Sequence, residues 1–211
     1  MPEIWREKEK LMRNDAIVSA AEKLFSENGF ERTAMEDIAA EAGFTKRTLY
    51  QYYDGKQEIY YAVVVRGMHR LLDELRAAAH MGQSGLEQFR LVRRAAWQCA
   101  QHNPNTFRVM ARLGQARSAG ADSSAEQQIA ALSAELFLVF RSILDRGRTD
   151  GSIPNTDESE DSAIFFILVG TLARLCEVGG AYAALLGDST GSLADKVIGL
   201  TDRLLIPRDI S

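Results

Sequence analysis

Proline, cysteine and alternating β-branched residues are scarce in this sequence. Its 211 residues include four prolines and two cysteines. Valine and isoleucine do not alternate with polar residues, whereas helix-favouring residues are abundant, so a sheet is not expected. Cys99 and Cys176 lack a C-x-x-C spacing and are too few for a disulfide framework, which predicts buried, reduced thiols. We therefore predict an all-α fold.

A long apolar run and a secretion signal are also lacking. No uninterrupted apolar run approaches the roughly 20 residues that cross a bilayer. The start of the sequence, MPEIWREKEK, is charged rather than apolar. We expect a cytoplasmic protein with no membrane partner. The hydrophobic content of 46% is sufficient for a packed core.

The sequence has no excess of basic residues. Its formal net charge is −4 at pH 7. Residues 1–70 contain 11 Lys/Arg against 12 Asp/Glu, and residues 71–211 contain 14 against 17. A broad basic surface is therefore excluded, and a surface that binds a polyanion must be a local patch.

Familiar catalytic and metal-binding motifs are missing from the sequence. There is no G-x-S-x-G, Walker-type or G-x-G-x-x-G pattern. His69 with Asp73, and Cys99 with His102, have the spacing of half a metal site, but no second cluster completes four ligands. We predict no enzyme activity, no catalytic residue, no cofactor and no metal site.

The stretch from Thr33 to Lys56 has the clearest local pattern, TAMEDIAAEAGFTKRTLYQYYDGK. Thr33 and Glu36 have the spacing of a capping box, which predicts a helix from about Ala34. Gly43 is expected to end this helix, because glycine permits the left-handed backbone of a tight reversal. The apolar positions of the helix recur at helical spacing and are Met35, Ile38, Ala39 and Ala42.

A second short helix is predicted directly after that reversal. Thr45 is its N-cap candidate, and Leu49 is expected to face the core. No acidic residue lies between Ala42 and Tyr53. Major-groove recognition requires such a surface, because cations bind phosphates and hydrogen-bonding groups reach base edges. The exposed groups are cations, hydroxyls and phenols from Lys46, Arg47, Thr48, Tyr50 and Tyr52.

This stretch resembles the DNA-binding motif of the TetR family of transcriptional regulators. The matching positions are Thr33, Ile38, Ala39, Ala42, Gly43, Thr45, Tyr50, Tyr52, Tyr53 and Lys56. The resemblance implies a helix-turn-helix head whose second helix reads double-stranded operator DNA. It implies DNA contacts from Thr33, Thr45, Lys46, Arg47, Thr48, Tyr50, Tyr52 and Lys56, with Lys56 at a phosphate.

Two residues depart from the family pattern. Arg47 stands where a small residue is common, and Tyr53 replaces the usual phenylalanine. The operator sequence of a relative therefore does not transfer to this chain. The cationic patch consists of Lys46, Arg47 and Lys56, with Lys8, Lys10 and Arg13 as candidate additions from the N-terminal arm.

Helical periodicity continues through the rest of the chain. Further helices are predicted near Arg13–Asn28, Lys56–Ala79, Leu86–His102, Phe107–Leu113, Ala125–Arg146, Asp161–Val178 and Ser192–Leu205, with a loop at Ser118–Ser124. The helix from Asp161 to Val178 is apolar nearly all round, so it must bury two faces. A central position in a monomer is one explanation, and a homodimer contact is the other.

The TetR resemblance favours the homodimer, because the last two helices of each subunit form a four-helix interface in that arrangement. The interface residues are then Phe166, Val169, Leu172, Leu193, Val197, Leu200 and Leu204. The same arrangement implies a small-molecule effector in a cavity among the helices. Its candidate lining residues, which plain core packing would also explain, are Trp97, Phe107, Met110, Phe137, Phe140 and Phe165.

These expectations combine into one functional hypothesis. An N-terminal helix-turn-helix domain at residues 1–58 is joined by a long helix to a helical ligand-binding and dimerisation domain at residues 59–211. The protein is then a DNA-binding repressor that a small molecule releases from its operator. The alternative is a helical protein-interaction module that does not bind DNA, and an all-α enzyme is a third, more distant reading.

Overall fold

The computed structural model describes residues 2–113 and 124–202, with side chains for 4–113 and 124–200. No strand occurs in these ranges, so the predicted all-α fold is confirmed. The helices in them are α1 (Pro2–Asn28), α2 (Met35–Glu41), α3 (Lys46–Leu49), α4 (Lys56–Ala79), α5 (Gly85–His102), α6 (Pro104–Ala111), α7 (Ser124–Thr149), α8 (Glu158–Leu185) and α9 (Thr190–Asp202). Most of the predicted loop at Ser118–Ser124 lies outside the described residues.

The chain divides into two compact units. Unit 1 comprises Met1–Gly67 and Asn105–Ile129, and unit 2 comprises Met68–Pro104 and Ala130–Ser211. The boundary between the two units falls inside α4. The units are defined by which residues pack together and not by which residues share a function. The functional ranges 1–58 and 59–211 therefore stay a prediction.

The N-terminal part of unit 1 is a three-helix head. Gly43 has a φ of +74°, which only glycine adopts readily, and it reverses the chain between α2 and α3 as predicted. The amide of Phe44 donates to the carbonyl oxygen of Ala39 at 2.8 Å and closes this reversal. The fully buried side chains that hold the head together are Ile17, Ala21, Ile38 and Leu49.

The predicted capping box between Thr33 and Glu36 is wrong. Ala34 occupies the N-cap of α2, and its amide donates to Oδ2 of Asp37 at 2.9 Å. Thr33 is buried, and its hydroxyl donates to the carbonyl oxygen of Gly29 at 2.8 Å. The threonine thus satisfies main-chain groups at the end of α1, and Glu36 is left to pair elsewhere.

Helix α6 packs closely on the first half of α4 within unit 1. Gly67 allows this approach, since a Cβ there would lie 2.3 Å from Cγ2 of Thr106 and 2.7 Å from Sδ of Met110. The hydroxyl of Thr106 donates to Glu22 of α1. These contacts join α6 to both α4 and α1.

Helix α1 is longer than its periodicity predicts. It begins at Pro2 rather than near Arg13, so the N-terminal arm is helical as well. The side chains of residues 4–12 are exposed, including Trp5 at 70%. This first part of the helix therefore adds no buried surface to unit 1.

Unit 2 contains the second half of α4 with α5, α8, α9 and the part of α7 from Ala130 onward. Each helix lies where the sequence predicts it, with ends that differ by up to seven residues, as at Leu185 of α8. Gly85 of α5 lies against the main chain of α7, since a Cβ there would be 2.2 Å from the amide nitrogen of Gly147. Buried core side chains of this unit include Leu72, Phe89, Leu132, Ile143 and Leu144.

Helices α7 and α8 are long and apolar enough, by length and composition, to cross a membrane. This corrects the expectation that no segment of the chain has that character. The core helices of soluble proteins meet the same two criteria, so the finding is weak by itself. Few side chains of α8 are fully buried, and the others are half-buried or exposed.

Candidate nucleic-acid interface and effector cavity

Helix α3 begins as the sequence predicts. Thr45 is its N-cap, and its hydroxyl oxygen accepts a hydrogen bond from the amide of Thr48 at 3.2 Å. Leu49 is completely buried and anchors the helix to the head. The helix has four residues, and the chain continues through turns to α4. Its exposed side chains therefore stand on a short, well-anchored support.

Lys46 is engaged by an acidic residue that the sequence pattern did not reveal. Its ammonium donates to Oε1 of Glu36 in α2, and it lies 5.9 Å from the ring centroid of Tyr50. The hydrogen bond to Glu36 raises the pKa of Lys46, and the same bond lowers the pKa of the Glu36 carboxyl. The carboxylate of Glu36 thus lies next to a cation of α3, although no acidic residue occurs between Ala42 and Tyr53 in the sequence.

Like Lys46, Arg47 is an exposed cation of α3. Within residues 2–113 and 124–202 it has no hydrogen-bond or ion-pair partner. Tyr50 is 48% exposed next to it, whereas Thr48 and Tyr52 are half-buried. These groups, with Thr45, form one polar surface around α3, which we call the α3 surface. Thr33 does not belong to it, because its side chain is buried.

Lys56 has a structural role at the start of α4. Its ammonium donates to the carbonyl oxygen of Phe30 at 2.7 Å and lies 4.3 Å from the centroid of the Phe30 ring. The side chain is half-buried. The ammonium also donates to the carbonyl oxygen of Glu31 at 3.4 Å. Lys56 thus joins α4 to the loop after α1, and two of its three donors are already used.

Two contacts fix α1 beside the α3 surface. The hydroxyl of Tyr53 donates to Oδ1 of Asn14 at 2.7 Å, and the guanidinium of Arg13 lies 5.9 Å from the ring centroid of Phe44. Burial raises the pKa of Tyr53, so this phenol stays a donor near neutral pH. Asn14 was not predicted, because its partner lies 39 residues away in the sequence.

Unit 2 contains an apolar cavity of about 110 Å³. Three of the predicted lining residues, Trp97, Phe140 and Phe165, do line it. Phe137 instead packs edge-on against Phe165 and borders a surface groove. The other predicted lining residues, Phe107 and Met110, belong to unit 1 and do not reach the cavity. The remaining lining is largely aliphatic and includes Leu71, Leu75, Val92, Ala96, Leu136, Leu172 and Val197.

Arg93 is the charged residue in the cavity lining. Its side chain is 8% exposed, and Nη1 donates to the carbonyl oxygen of Ile198 at 2.9 Å. The guanidinium carbon lies 4.6 Å from the ring centroid of Phe89. The charge is therefore engaged by α9 and by an aromatic face of α5.

The predicted dimer residues fall into two groups. Phe166, Val169 and Leu200 are 78%, 50% and 58% exposed, which is unusual for large apolar side chains. Leu172 and Val197 are half-buried and line the cavity, which Val169 also borders, and Leu193 is half-buried. Leu204 lies outside the described residues. Further exposed apolar residues on or next to α8 are Ile167, Tyr182, Leu185 and Leu186.

The family model for bacterial regulatory proteins of the tetR family matches residues 17–63, which include all of α2 and α3. This segment of the chain is similar to the DNA-binding part of the TetR family. The matched TetR segment covers α1 from Ile17 to the first turns of α4 and so contains the whole α3 surface. Among the described residues no group of three or more His, Cys, Asp or Glu is placed to hold a metal ion.

Two curated transcriptional regulators are similar to part of this chain. The transcriptional activator FasR of Mycolicibacterium smegmatis is 28% identical over 98 residues, which cover 46% of this chain and 45% of FasR. The negative regulator IcaR of Staphylococcus epidermidis is 38% identical over 61 residues, covering 29% of this chain and 33% of IcaR. The chain thus spans less than half the length of both relatives, and the two are named for opposite effects on transcription.

Solved structures share the fold over almost the whole chain. A tetR-family regulatory protein from Rhodococcus RHA1 matches with a TM-score of 0.77 and 20% identity, covering 93% of this chain and 98% of that one. AibR, solved in complex with isovaleryl coenzyme A and operator DNA, matches with a TM-score of 0.71 and 18% identity, covering 89% and 97%. At these identities the similarity establishes the TetR fold and not the ligand.

Proposed function

We propose that this chain is a DNA-binding transcriptional regulator that represses by occupying an operator. The observation that carries the proposal is the α3 surface, in which the exposed Arg47 stands on a helix anchored by the buried Leu49. The match of residues 17–63 to the TetR family model supports the proposal. The protein acts in the cytoplasm, where its DNA lies.

We propose DNA contacts for the residues of the α3 surface and for the two neighbouring lysines. Arg47 reads a base edge in the major groove, where a guanidinium fits the two acceptors of guanine. Thr45, Thr48, Tyr50 and Tyr52 position the helix by donating to phosphates. Lys46 and Lys56 contribute charge, although each is engaged within the protein. Thr33 supports the head from inside.

The regulator is proposed to act as a homodimer through α8 and α9. Large apolar side chains at 50–78% exposure, such as Val169 and Phe166, need a cover in water. A second copy of the same face supplies a self-complementary cover. Two heads then address half-sites about 34–36 Å apart on one side of the duplex.

The apolar cavity of unit 2 is the proposed effector site. Its lining is aliphatic and aromatic apart from Thr171 and the engaged Arg93, so a neutral, apolar ligand of roughly benzene size fits best. Isovaleryl coenzyme A, which AibR binds, is therefore not the expected effector here.

The effector acts on DNA binding by changing the tilt of α4. This helix begins at Lys56, directly after the α3 region, and its residues Leu71 and Leu75 line the cavity. A small change in tilt alters the separation of the two heads and takes them out of register with the half-sites. Direct competition between effector and DNA is not part of the proposal.

A mobility-shift titration tests the proposal. The full chain is titrated into a duplex from the region upstream of its own gene, over a range of salt concentrations, with a scrambled duplex as control. A regulator should bind the upstream duplex more tightly, with log K falling linearly as log salt rises. If neither duplex binds at 50 mM salt, the protein-interaction module becomes the better reading.

A further inference from the structure

The two cations of α3 are not equivalent. Arg47 is exposed and has no ion-pair partner in the part of the chain that the structure describes. Lys46 is hydrogen-bonded to Glu36, and the two side chains are 47% and 60% exposed. The Glu36 carboxylate therefore lies on the surface by which α3 would approach a duplex.

This arrangement opposes the attraction between Lys46 and DNA in two ways. A phosphate that binds Lys46 has to replace the Glu36 carboxylate, because both compete for the same ammonium group. Glu36 then remains as a negative charge next to the phosphate backbone. Both effects act on the electrostatic part of binding, which does not depend on base sequence.

We propose that Glu36 lowers the affinity of the chain for every DNA duplex by holding Lys46. The inference rests on the proposed DNA-binding function and names a residue that tunes it. An effector releases DNA by binding the DNA-free protein more tightly than the DNA-bound protein. When the affinity for DNA is lower, a smaller difference between these two effector affinities is enough. Glu36 thus makes it easier for an effector to dissociate the protein from its operator.

The test replaces Glu36 with glutamine, which keeps the shape of the side chain and removes its charge. Dissociation constants are measured by fluorescence anisotropy on the upstream duplex and on the scrambled duplex between 50 and 200 mM salt. Glu36→Gln should tighten both by the same factor and steepen the salt slope by about 0.9, the value for one additional phosphate contact. The gain should therefore shrink about threefold between 50 and 200 mM salt.

Glu41 provides a matched control on the same helix. It pairs with Lys23 of α1 at 2.7 Å, away from α3, and its side chain is 36% exposed. Glu41→Gln makes the same change in net charge and should leave both affinities within twofold of the wild type. A larger gain in this variant would mean that net charge, rather than the Glu36–Lys46 pair, sets the affinity, and would overturn the inference.

A double-mutant cycle tests the role of Lys46 directly. In a Lys46→Ala background the gain from Glu36→Gln should be largely lost. The inference is wrong if the gain persists there, or if Glu36→Gln weakens only the upstream duplex, since Glu36 would then position Lys46 for base recognition. Failure of the wild type to bind either duplex would instead refute the proposed function itself, independently of the Glu36 variants.

Discussion

The hydroxyl of Tyr60 in α4 donates a hydrogen bond of 2.6 Å to the main-chain carbonyl oxygen of Val109 in α6. Both side chains are 1% exposed. The two residues are 49 positions apart in the sequence, so the bond fixes one helix to the other within unit 1. Phe25 packs edge-on against the Tyr60 ring, with centroids 5.1 Å apart, and closes the site from the side of α1.

Replacing Tyr60 with phenylalanine should destabilise the protein without disturbing the ring packing. The Val109 carbonyl oxygen would keep only the amide of Arg112, at 3.1 Å, as a donor. The loss of the phenol's hydrogen bond should cost about 0.5–1.5 kcal/mol of the free energy of unfolding. Urea denaturation of the two proteins at pH 7 measures this loss. Tyr53→Phe is the control. The hydroxyl of Tyr53 donates to the half-buried side chain of Asn14, so its loss should lower the free energy of unfolding by less.

The same phenol should make stability depend on pH. Burial raises the pKa of Tyr60 above its ordinary value near 10. A group with a raised pKa in the folded state contributes stability below the pKa of the unfolded state, and this contribution is lost as pH rises above it. The wild type should therefore lose stability above about pH 10 more steeply than Tyr60→Phe. The free energy of unfolding of both proteins is measured by urea denaturation at pH 8 and pH 10.5. An equal loss in the wild type and in Tyr60→Phe would contradict this prediction.

The helices could be predicted from the sequence because their signals are local. Gly43 carries its own backbone preference, Thr45 caps the helix that follows it, and the apolar repeat around Leu49 points inward. The capping box at Thr33 failed for a physical reason. Asp37 also has capping chemistry, and the buried carbonyl groups near Gly29 give the threonine hydroxyl a better partner.

The candidate sites could be predicted only in part, because they depend on contacts between distant residues. Glu36 reaches Lys46 across the reversal, and Lys56 bonds a carbonyl 26 positions earlier in the chain. Periodicity also did not distinguish cavity from core. Phe140 and Phe107 are both buried aromatics at helical spacing, yet only Phe140 lines the cavity.

Arg47→Ala should weaken binding to the operator and relax its sequence preference. If the guanidinium contacts a base edge, Arg47→Ala should cost about 1–3 kcal/mol of binding free energy on the operator. On a duplex in which that base pair is replaced, the same substitution should cost almost nothing. Lys56→Met should instead weaken all duplexes alike and lower the salt slope by about one. Lys23→Met is the control, because Lys23 pairs with Glu41. Binding that is unchanged in both Arg47→Ala and Lys56→Met would contradict the proposed DNA surface.

Phe166→Asp should convert a dimer into monomers. The side chain is 78% exposed in the single chain, so the substitution is tolerated there, whereas in a symmetric contact it buries two unpaired charges. Sedimentation at micromolar concentration measures the change, and operator affinity should fall with it. Leu138→Asp on α7 replaces another large apolar residue, 61% exposed, and should leave the mass unchanged. A wild type that sediments as a monomer would refute the proposed interface.

Ala96→Trp should abolish the response to an effector, because Ala96 lines the cavity and the indole ring would fill much of its roughly 110 Å³. Ala95 precedes it on α5 without lining the cavity, so Ala95→Trp is the control. Toluene, benzoate and isovaleryl coenzyme A serve as calorimetric probes, and toluene should bind best, since the others carry charge into an apolar site. By linkage, operator DNA must weaken toluene binding by the factor by which toluene weakens DNA binding, typically about 5–150-fold. Equal toluene affinities with and without operator would mean that the cavity does not regulate DNA binding.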